Sequence, residues 1–204
     1  IWYASLFSNT TGTYNTAIGI NAMQSNTTGI QNSSLGGQAL KSNTTGNYNV
    51  ALGYNSLNKN TTGYNNTAVG QGSLYSTTDG PNNVAVGTNA LSLNVTGSRN
   101  VAVGVGALEA NLESVNNAFG YISMSSNTTG TENNAFGHAS MNSNTTGSGN
   151  AAFGHNASQL NLTGSRNTAM GYNALQANTV SDNSTFGWRT LQANTSGTEN
   201  AAFG

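Results

Sequence analysis

Apolar and polar residues follow a fixed order that repeats about every seventeen residues along this chain. The unit reads N-T-T-G-x-x-N-T-A-V-G-x-x-A-L-x-x, and we number its positions one to seventeen from the first Asn. Successive units lie 17 residues apart, except that those starting at Asn111 and Asn178 are 16 residues long. The twelve units start at Asn9, Asn26, Asn43, Asn60, Thr77, Asn94, Asn111, Asn127, Asn144, Asn161, Asn178 and Asn194. A constant short period indicates a stacked repeat architecture.

Beside the Ala of position fourteen, the apolar residues of the unit fall at three positions. Position nine is Ala in ten of the twelve units, and position fifteen is Leu or Met in every complete unit except the one with Ser158. Position ten is always large and apolar, which predicts a core ladder. Its members are Ile18, Leu35, Leu52, Val69, Val86, Val103, Phe119, Phe136, Phe153, Met170, Phe186 and Phe203.

Each unit is too short for a helix–turn–helix repeat, which takes about 33 residues or more. The N-T-A-V-G segment predicts a strand, with positions eight and ten on one face and nine on the other. The A-L-x-x segment predicts a second short strand, and N-T-T-G predicts a turn in which Gly or Asn takes a left-handed backbone. The fold class is therefore all-β, a parallel β-solenoid or β-roll of about 12 coils with 16–17 residues per coil.

Two positions never vary among the units and predict structural roles. Position eleven is always Gly, which predicts a bend where a Cβ would clash. Position seven is always Asn, which predicts a hydrogen-bonded ladder of stacked amides. The ladder residues are Asn15, Asn32, Asn49, Asn66, Asn83, Asn100, Asn116, Asn133, Asn150, Asn167, Asn183 and Asn200. The two shorter units lose a residue before position seven, where a loop absorbs deletions best.

The repeat runs to both ends of the chain. Residues 1–8 align with positions ten to seventeen, which places Trp2 where Gly is expected, and Gly204 is a position-eleven residue. We expect residues 1–204 to be a single continuous solenoid segment, a window on a longer repeat protein.

Composition narrows the possible partners. Charged residues make up 5% of the chain and the net charge is −1, so the basic surface of a nucleic-acid-binding protein is missing. No apolar run approaches the roughly 18 residues that span a membrane, and without cysteine the chain forms no disulfide. A coil with only about two large apolar side chains gains little free energy from burial. That gain offsets only part of the entropy lost when the backbone of the coil becomes ordered. Apolar side chains that point to two different sides of a thin coil indicate one interior and one interface between chains. We therefore predict a homo-oligomer, with a trimer favoured.

The N-x-A-[VIF]-G core, seen in Asn49–Gly53, Asn83–Gly87 and Asn100–Gly104, resembles the head repeats of trimeric autotransporter adhesins. The longer string from Asn167 to Leu175 is similar to repeats in phage tail fibres and bacterial surface fibre proteins. The first resemblance implies left-handed parallel β-rolls, with three chains side by side on a bacterial surface. The period of this chain is longer than the adhesin-head repeat.

Position twelve carries a stripe of rings in the second half of the chain: Tyr121, His138, His155, Tyr172 and Trp188. Two interpretations stay open, a glycan-contact stripe and ring-on-ring packing at an oligomer interface. His138 and His155 alone are too few for a metal site, which needs three or four ligands, and only two Asp residues argue against a calcium-binding solenoid. No metal and no cofactor is expected.

Enzyme chemistry finds no support in the residue inventory. The carboxylates are scattered over different repeat positions, and no nucleophile elbow or phosphate-binding loop is present. Formal Asn-x-Thr glycosylation acceptors recur at position one, but Asn and Thr there are explained by turn hydrogen bonds. Neighbouring Thr residues in the turn raise the alternative of an ice-binding solenoid. An ice-binding face needs Thr side chains on one side of a strand, whereas the side chains of these neighbouring Thr residues point in different directions, which disfavours it.

The sequence thus predicts a non-enzymatic structural and adhesive segment of an extracellular fibre, such as a bacterial surface adhesin or appendage. The alternative is a bacteriophage tail fibre segment for host recognition. Either would be extracellular, at a cell surface or on a virion, with a cell-surface glycan or protein receptor as a possible partner.

Overall fold

A computed structural model describes residues 3–204 as one stack of short parallel strands, so the expected place of Trp2 lies outside the described residues. Each strand holds positions eight to ten of one unit and pairs with the strands of the units before and after it. The twelve strands are β1 (Thr16–Ile18), β2 (Ser33–Leu35), β3 (Val50–Leu52), β4 (Thr67–Val69), β5 (Val84–Val86), β6 (Val101–Val103), β7 (Asn117–Phe119), β8 (Asn134–Phe136), β9 (Ala151–Phe153), β10 (Thr168–Met170), β11 (Ser184–Phe186) and β12 (Ala201–Phe203).

The register is constant along the stack. Ala17 lies opposite Ser34, Ser34 opposite Ala51, and the same position meets the same position at every later step. The predicted parallel β-solenoid, one coil per unit, is confirmed. The shorter units keep this register, since Val101 still pairs with Asn117 and Thr168 with Ser184. The missing residue is taken from the turn, as expected.

The core of the solenoid lies between this sheet and the opposite wall of each coil. Its side chains come from position nine, from position fourteen and from position fifteen, as in Ala85, Ala90 and Leu91, all three fully buried. Small side chains at positions nine and fourteen let the two walls approach closely, and one Leu or Met per coil fills the remaining space.

The prediction that position ten forms the core ladder is wrong. Leu35 is 51% exposed and Phe153 is 38% exposed, whereas the neighbouring Ala152 is fully buried. A three-residue strand turns only its middle side chain inward, because successive side chains point to opposite faces. Positions eight and ten therefore lie on the outward face of the sheet. The large apolar residues, which suggested a core, form a column on the surface of the chain.

The second predicted strand is also absent. Positions thirteen and fifteen have a left-handed backbone in every coil, as at Asn21 (φ 57°) and Met23 (φ 49°), so the segment is a run of turns. It still bonds to its neighbours, since the N–H of Met23 donates to the carbonyl of Ala39 in the next coil (3.0 Å). The N-T-T-G turn is present, but the left-handed residue lies two positions beyond it, at position six, for example Tyr14 and Arg99, rather than at the first Asn or the Gly of the turn.

The position-eleven glycines occupy the bend that follows each strand. Gly36 has a φ of +141°, and a Cβ placed on it would lie 2.5 Å from the carbonyl oxygen of Gly53 in the next coil. A side chain there would push neighbouring coils apart, which explains why only Gly occurs at this position.

Two columns of asparagine run through the interior. At position seven, the side-chain oxygen of Asn32 accepts the backbone N–H of Asn49 (2.9 Å), and the Asn49 amide donates to the carbonyl of Gly63 (2.8 Å). At position one, the amide of Asn43 donates to the side-chain oxygen of Asn26 (2.7 Å). Both columns satisfy polar groups that would otherwise be buried without partners, and so they permit a thin coil with little apolar volume.

Candidate interaction surface

The outward face of the sheet carries a continuous column of large apolar side chains at position ten. In the N-terminal coils the column is aliphatic, and from Phe119 onward it is mainly aromatic. The rings of Phe119, Phe136 and Phe153 stack with centroids 4.7 and 4.9 Å apart and nearly parallel planes. The column lies along the outside of the chain, where soluble monomers rarely keep large contiguous apolar patches.

A second column of rings lies next to it, just past the glycine bend at position twelve. Tyr121, His138, His155 and Tyr172 form a stack with successive centroids 5.4, 4.7 and 5.2 Å apart. Trp188 continues the column without joining that stack; it is 64% exposed, and the guanidinium of Arg189 lies 4.4 Å from its ring centroid. The structure therefore brings the predicted stripe residues into one column.

The stacking changes what this stripe can bind. A sugar ring packs its apolar face on an aromatic face, and within the stack the faces of His138 and His155 are covered by their neighbours. Only the ring edges remain open there. The geometry therefore favours ring-on-ring packing over glycan contact for His138 and His155, while Tyr121 and Tyr172, at the ends of the stack, each have one ring neighbour.

The two histidines do not converge on a common point. Their rings are parallel within 5°, so their nitrogens lie side by side rather than directed at one ion. Across residues 3–204, no group of three His, Cys, Asp or Glu side chains is placed to hold a metal ion.

Sequence reasoning missed an ion pair at position six. Arg166 donates from Nε and Nη2 to the two carboxylate oxygens of Asp182 in the next coil, each at 2.7 Å. The hydrogen bond lowers the pKa of the Asp182 carboxyl and raises the pKa of the Arg166 guanidinium above its already high value. The pair went unnoticed because Asp182 lies in a shortened unit, where counting from the first Asn moves it off position six. Counting back from the invariant Asn183 would have found it.

The recurring Asn-x-Thr sites are closed by the fold. Asn26, Asn43 and Asn127 are fully buried, and each amide donates to the carbonyl of its own turn glycine at 2.9–3.1 Å. A buried, hydrogen-bonded amide is not accessible for modification in the folded chain. The turn role expected for position one thus fits the structure.

The threonines of the turn are tied to the stack. The hydroxyl of Thr27 donates to the carbonyl of Thr44 (3.0 Å), and that of Thr44 donates to the carbonyl of Thr61 (3.0 Å). Position two therefore uses its hydroxyl within the stack, which leaves position three, a row of hydroxyls interrupted at Asp79. One row on a turn does not make the flat, two-row face of an ice-binding solenoid.

The comparisons with known proteins add no family. No family model matches the chain, and neither the curated proteins nor the solved structures include a significant match. No helix in the part of the chain that the structure describes is long and apolar enough to cross a membrane.

Proposed function

We propose that this chain is a structural and adhesive segment of an extracellular fibre, and that three copies associate through the position-ten column. One observation carries this: the column repeats in register from Ile18 to Phe203 on the outside of an otherwise closed coil. Burying apolar area of this kind is the main source of affinity in obligate assemblies. The resemblance to adhesin-head repeats supports the number three and a bacterial surface.

The interior of the chain offers an independent reason for association. Apart from the coil with Ser158, each coil contributes to the core one Leu or Met and two small side chains, which is little apolar volume for about 17 ordered residues. Covering the outer column would add one further large apolar side chain per coil. Association would thus raise the apolar area buried by each coil without any change in its backbone.

Sedimentation equilibrium on the purified chain tests this proposal. We expect a mass three times that of one chain, and we expect Val86→Lys combined with Phe136→Lys to give a folded monomer. Thr62→Lys combined with Thr129→Lys adds the same charge on the exposed turn and should leave the trimer intact. A wild-type chain that sediments as a stable folded monomer would rule the assembly out.

Adhesion needs its own measurement. The wild-type chain displayed on beads should retain bacterial or host cells in flow, and the Lys pair on the column should reduce retention if the assembled fibre is the binding form. Equal retention by wild type and by uncoated beads would remove the adhesive half of the proposal.

A further inference from the structure

The position-twelve column contains one gap. All other coils carry a side chain at this position, but Gly37 stands in the second of them. The backbone does not require glycine here: unlike its neighbour Gly36, Gly37 is not in the left-handed region, and an added Cβ would contact only the ring of Tyr54, 3.3 Å from Cδ2. The missing side chain is therefore a feature of the surface and not of the coil.

The gap forms a slot about 400 Å³ in volume between Ile20 and Tyr54. Gly19, Gly37 and Gln38 complete the lining, which is mainly apolar. Ile20 and Tyr54 lie two coils apart, or about 9.6 Å at the usual spacing of parallel strands. That backbone spacing is an upper limit on the width of the slot, because the Tyr54 ring reaches over Gly37 from one side.

Tyr54 differs from the four stacked rings of its column. Its ring stacks on no other ring among residues 3–204, and the residue is 52% exposed, whereas the faces of His138 and His155 are covered. The ring leans over Gly37, as its 3.3 Å approach to the would-be Cβ shows. A ligand in the slot would therefore find an aromatic face that the interior of the His138 and His155 stack does not offer.

Polar groups stand at the rim of the slot. The side-chain amide of Gln38 lies 3.5 Å from the hydroxyl of Tyr54, which is a long and weak hydrogen bond. Both groups can rearrange to bond a ligand. An apolar lining with a few polar groups that fix orientation is the usual composition of a small-molecule site.

We infer that this slot binds a single pyranose ring. One face of such a ring carries C–H groups that pack on an aromatic face, and its equatorial hydroxyls would bond the Gln38 amide and the Tyr54 hydroxyl. A purely aromatic ligand would use the Tyr54 face but leave the amide without a new partner. The inference rests on the adhesive role proposed above, to which it adds a ligand class, but it does not depend on the trimer.

Titration with methyl glycosides of glucose, galactose and mannose tests the slot, followed by chemical shifts of the Tyr54 ring and the Gln38 amide. We expect saturable shifts with at least one sugar. Gly37→Tyr completes the column and fills the slot, and Tyr54→Ala removes the aromatic face; each should weaken binding tenfold or more. Tyr172→Ala, in the closed stack, should leave binding unchanged.

Three outcomes overturn the inference: no saturable shift with any of the sugars, equal binding by wild type and Gly37→Tyr, or binding of p-cresol with no binding of sugars. Circular dichroism and sedimentation on the same samples separate this result from the fibre proposal. A folded trimer that binds no sugar would contradict only the slot inference. A wild-type chain that is monomeric but still binds sugar would contradict only the proposed assembly.

Discussion

The aliphatic half of the solenoid, residues 9–110, and the aromatic half, residues 111–204, share one backbone but differ in their outer columns. Position ten is Ile, Leu or Val in the first half, and Phe in all but Met170 of the second. Strand length, register and the buried Ala and Leu columns are the same in both. The inner columns and the glycine bends therefore determine the coil, and the outer columns are free to vary with what the surface has to contact.

The largest loss of stability should come from a substitution at the glycine bend, and it should be the same in both halves. Gly70→Ala in the aliphatic half and Gly137→Ala in the aromatic half each add a Cβ against a carbonyl of the next coil, at residues with φ of 125° and 139°. We expect a loss of about 3 kcal/mol or more in the free energy of unfolding for each, measured by chemical denaturation.

Gly37→Ala is the matched control for that prediction. Its Cβ would meet only the Tyr54 ring, which can move by a few tenths of an ångström. We expect a change within about 0.5 kcal/mol. Similar losses at all three glycines would show that the bend is not the cause.

The next largest effect should be the difference in stability loss between substitutions in the inner columns and substitutions in the outer columns. Leu91→Ala removes a fully buried side chain and should cost about 2–5 kcal/mol. Val86→Ala, in the same coil but on the outer face, should cost far less within a single chain. In the aromatic half Phe136→Ala should cost about 1–3 kcal/mol, because it breaks two ring stacks worth about 0.5–1.5 kcal/mol each.

Denaturation at two protein concentrations separates these intrachain effects from assembly. The cost of Leu91→Ala should not depend on concentration, whereas the cost of the two outer substitutions should grow where the chains associate. Outer substitutions as damaging as Leu91→Ala in dilute, monomeric protein would contradict the assignment of inside and outside.

One coil of the aromatic half should accept a stabilising change. Ser158 is buried at position fifteen, where the other complete coils hold Leu or Met, and its hydroxyl has no partner. Ser158→Leu should raise the free energy of unfolding by about 2 kcal/mol, since it buries a large apolar side chain and removes the unpaired hydroxyl. Ser158→Ala isolates the second contribution and should give a smaller gain. Calorimetry that shows a loss with Leu would mean that the neighbouring coils have closed over the site.

A comparable interruption lies in the position-one column of the aliphatic half. Thr77 replaces Asn there, and the buried side-chain oxygen of Asn60 in the preceding coil has no partner. Thr77→Asn should supply the missing donor and stabilise the chain by about 1 kcal/mol. Thr78→Asn, at the next position in the turn, should give no gain. An unchanged melting temperature for Thr77→Asn would show that the two coils do not meet closely enough for the bond.

The smallest effect concerns the ion pair. Because Arg166 lowers the pKa of Asp182 in the folded chain, the pair contributes stability at pH values above the ordinary pKa of Asp, about 4. That contribution is lost as the pH falls through the lowered value. Asp182→Asn should therefore lower the melting temperature slightly at neutral pH and low salt, with no difference from wild type in strong acid.

The boundary between the two halves lacks such a pair and allows the reverse experiment. Arg99 occupies the position that corresponds to Arg166, and the next coil presents Val115 where Asp182 would be. Val115→Asp should create a second ion pair and so raise the melting temperature slightly at neutral pH, with the gain lost in acid. A gain that persists in high salt or in acid would point to a cause other than charge.

The sequence predicted the period, the parallel stack and the ring column because Asn15, Gly19 and their equivalents have roles that no other residue type fills. It could not assign the side on which Ile18 and Phe136 lie, since position ten and position fifteen are both large and apolar and a single inward side chain per strand decides between them. The left-handed residues Tyr14, Arg99 and Met23 carry no compositional signal, because neighbouring coils impose that conformation. The slot at Gly37 depends on the direction in which Tyr54 leans, which no pattern encodes.

The position-seven asparagines give the rod a direction. Each side-chain oxygen caps the N–H of the following coil and never of the preceding one, as from Asn32 to Asn49. If such a rod is broken anywhere, one piece ends in unused amide oxygens and the other in unused N–H groups. A further coil can therefore satisfy these groups in only one orientation at each end of the stack.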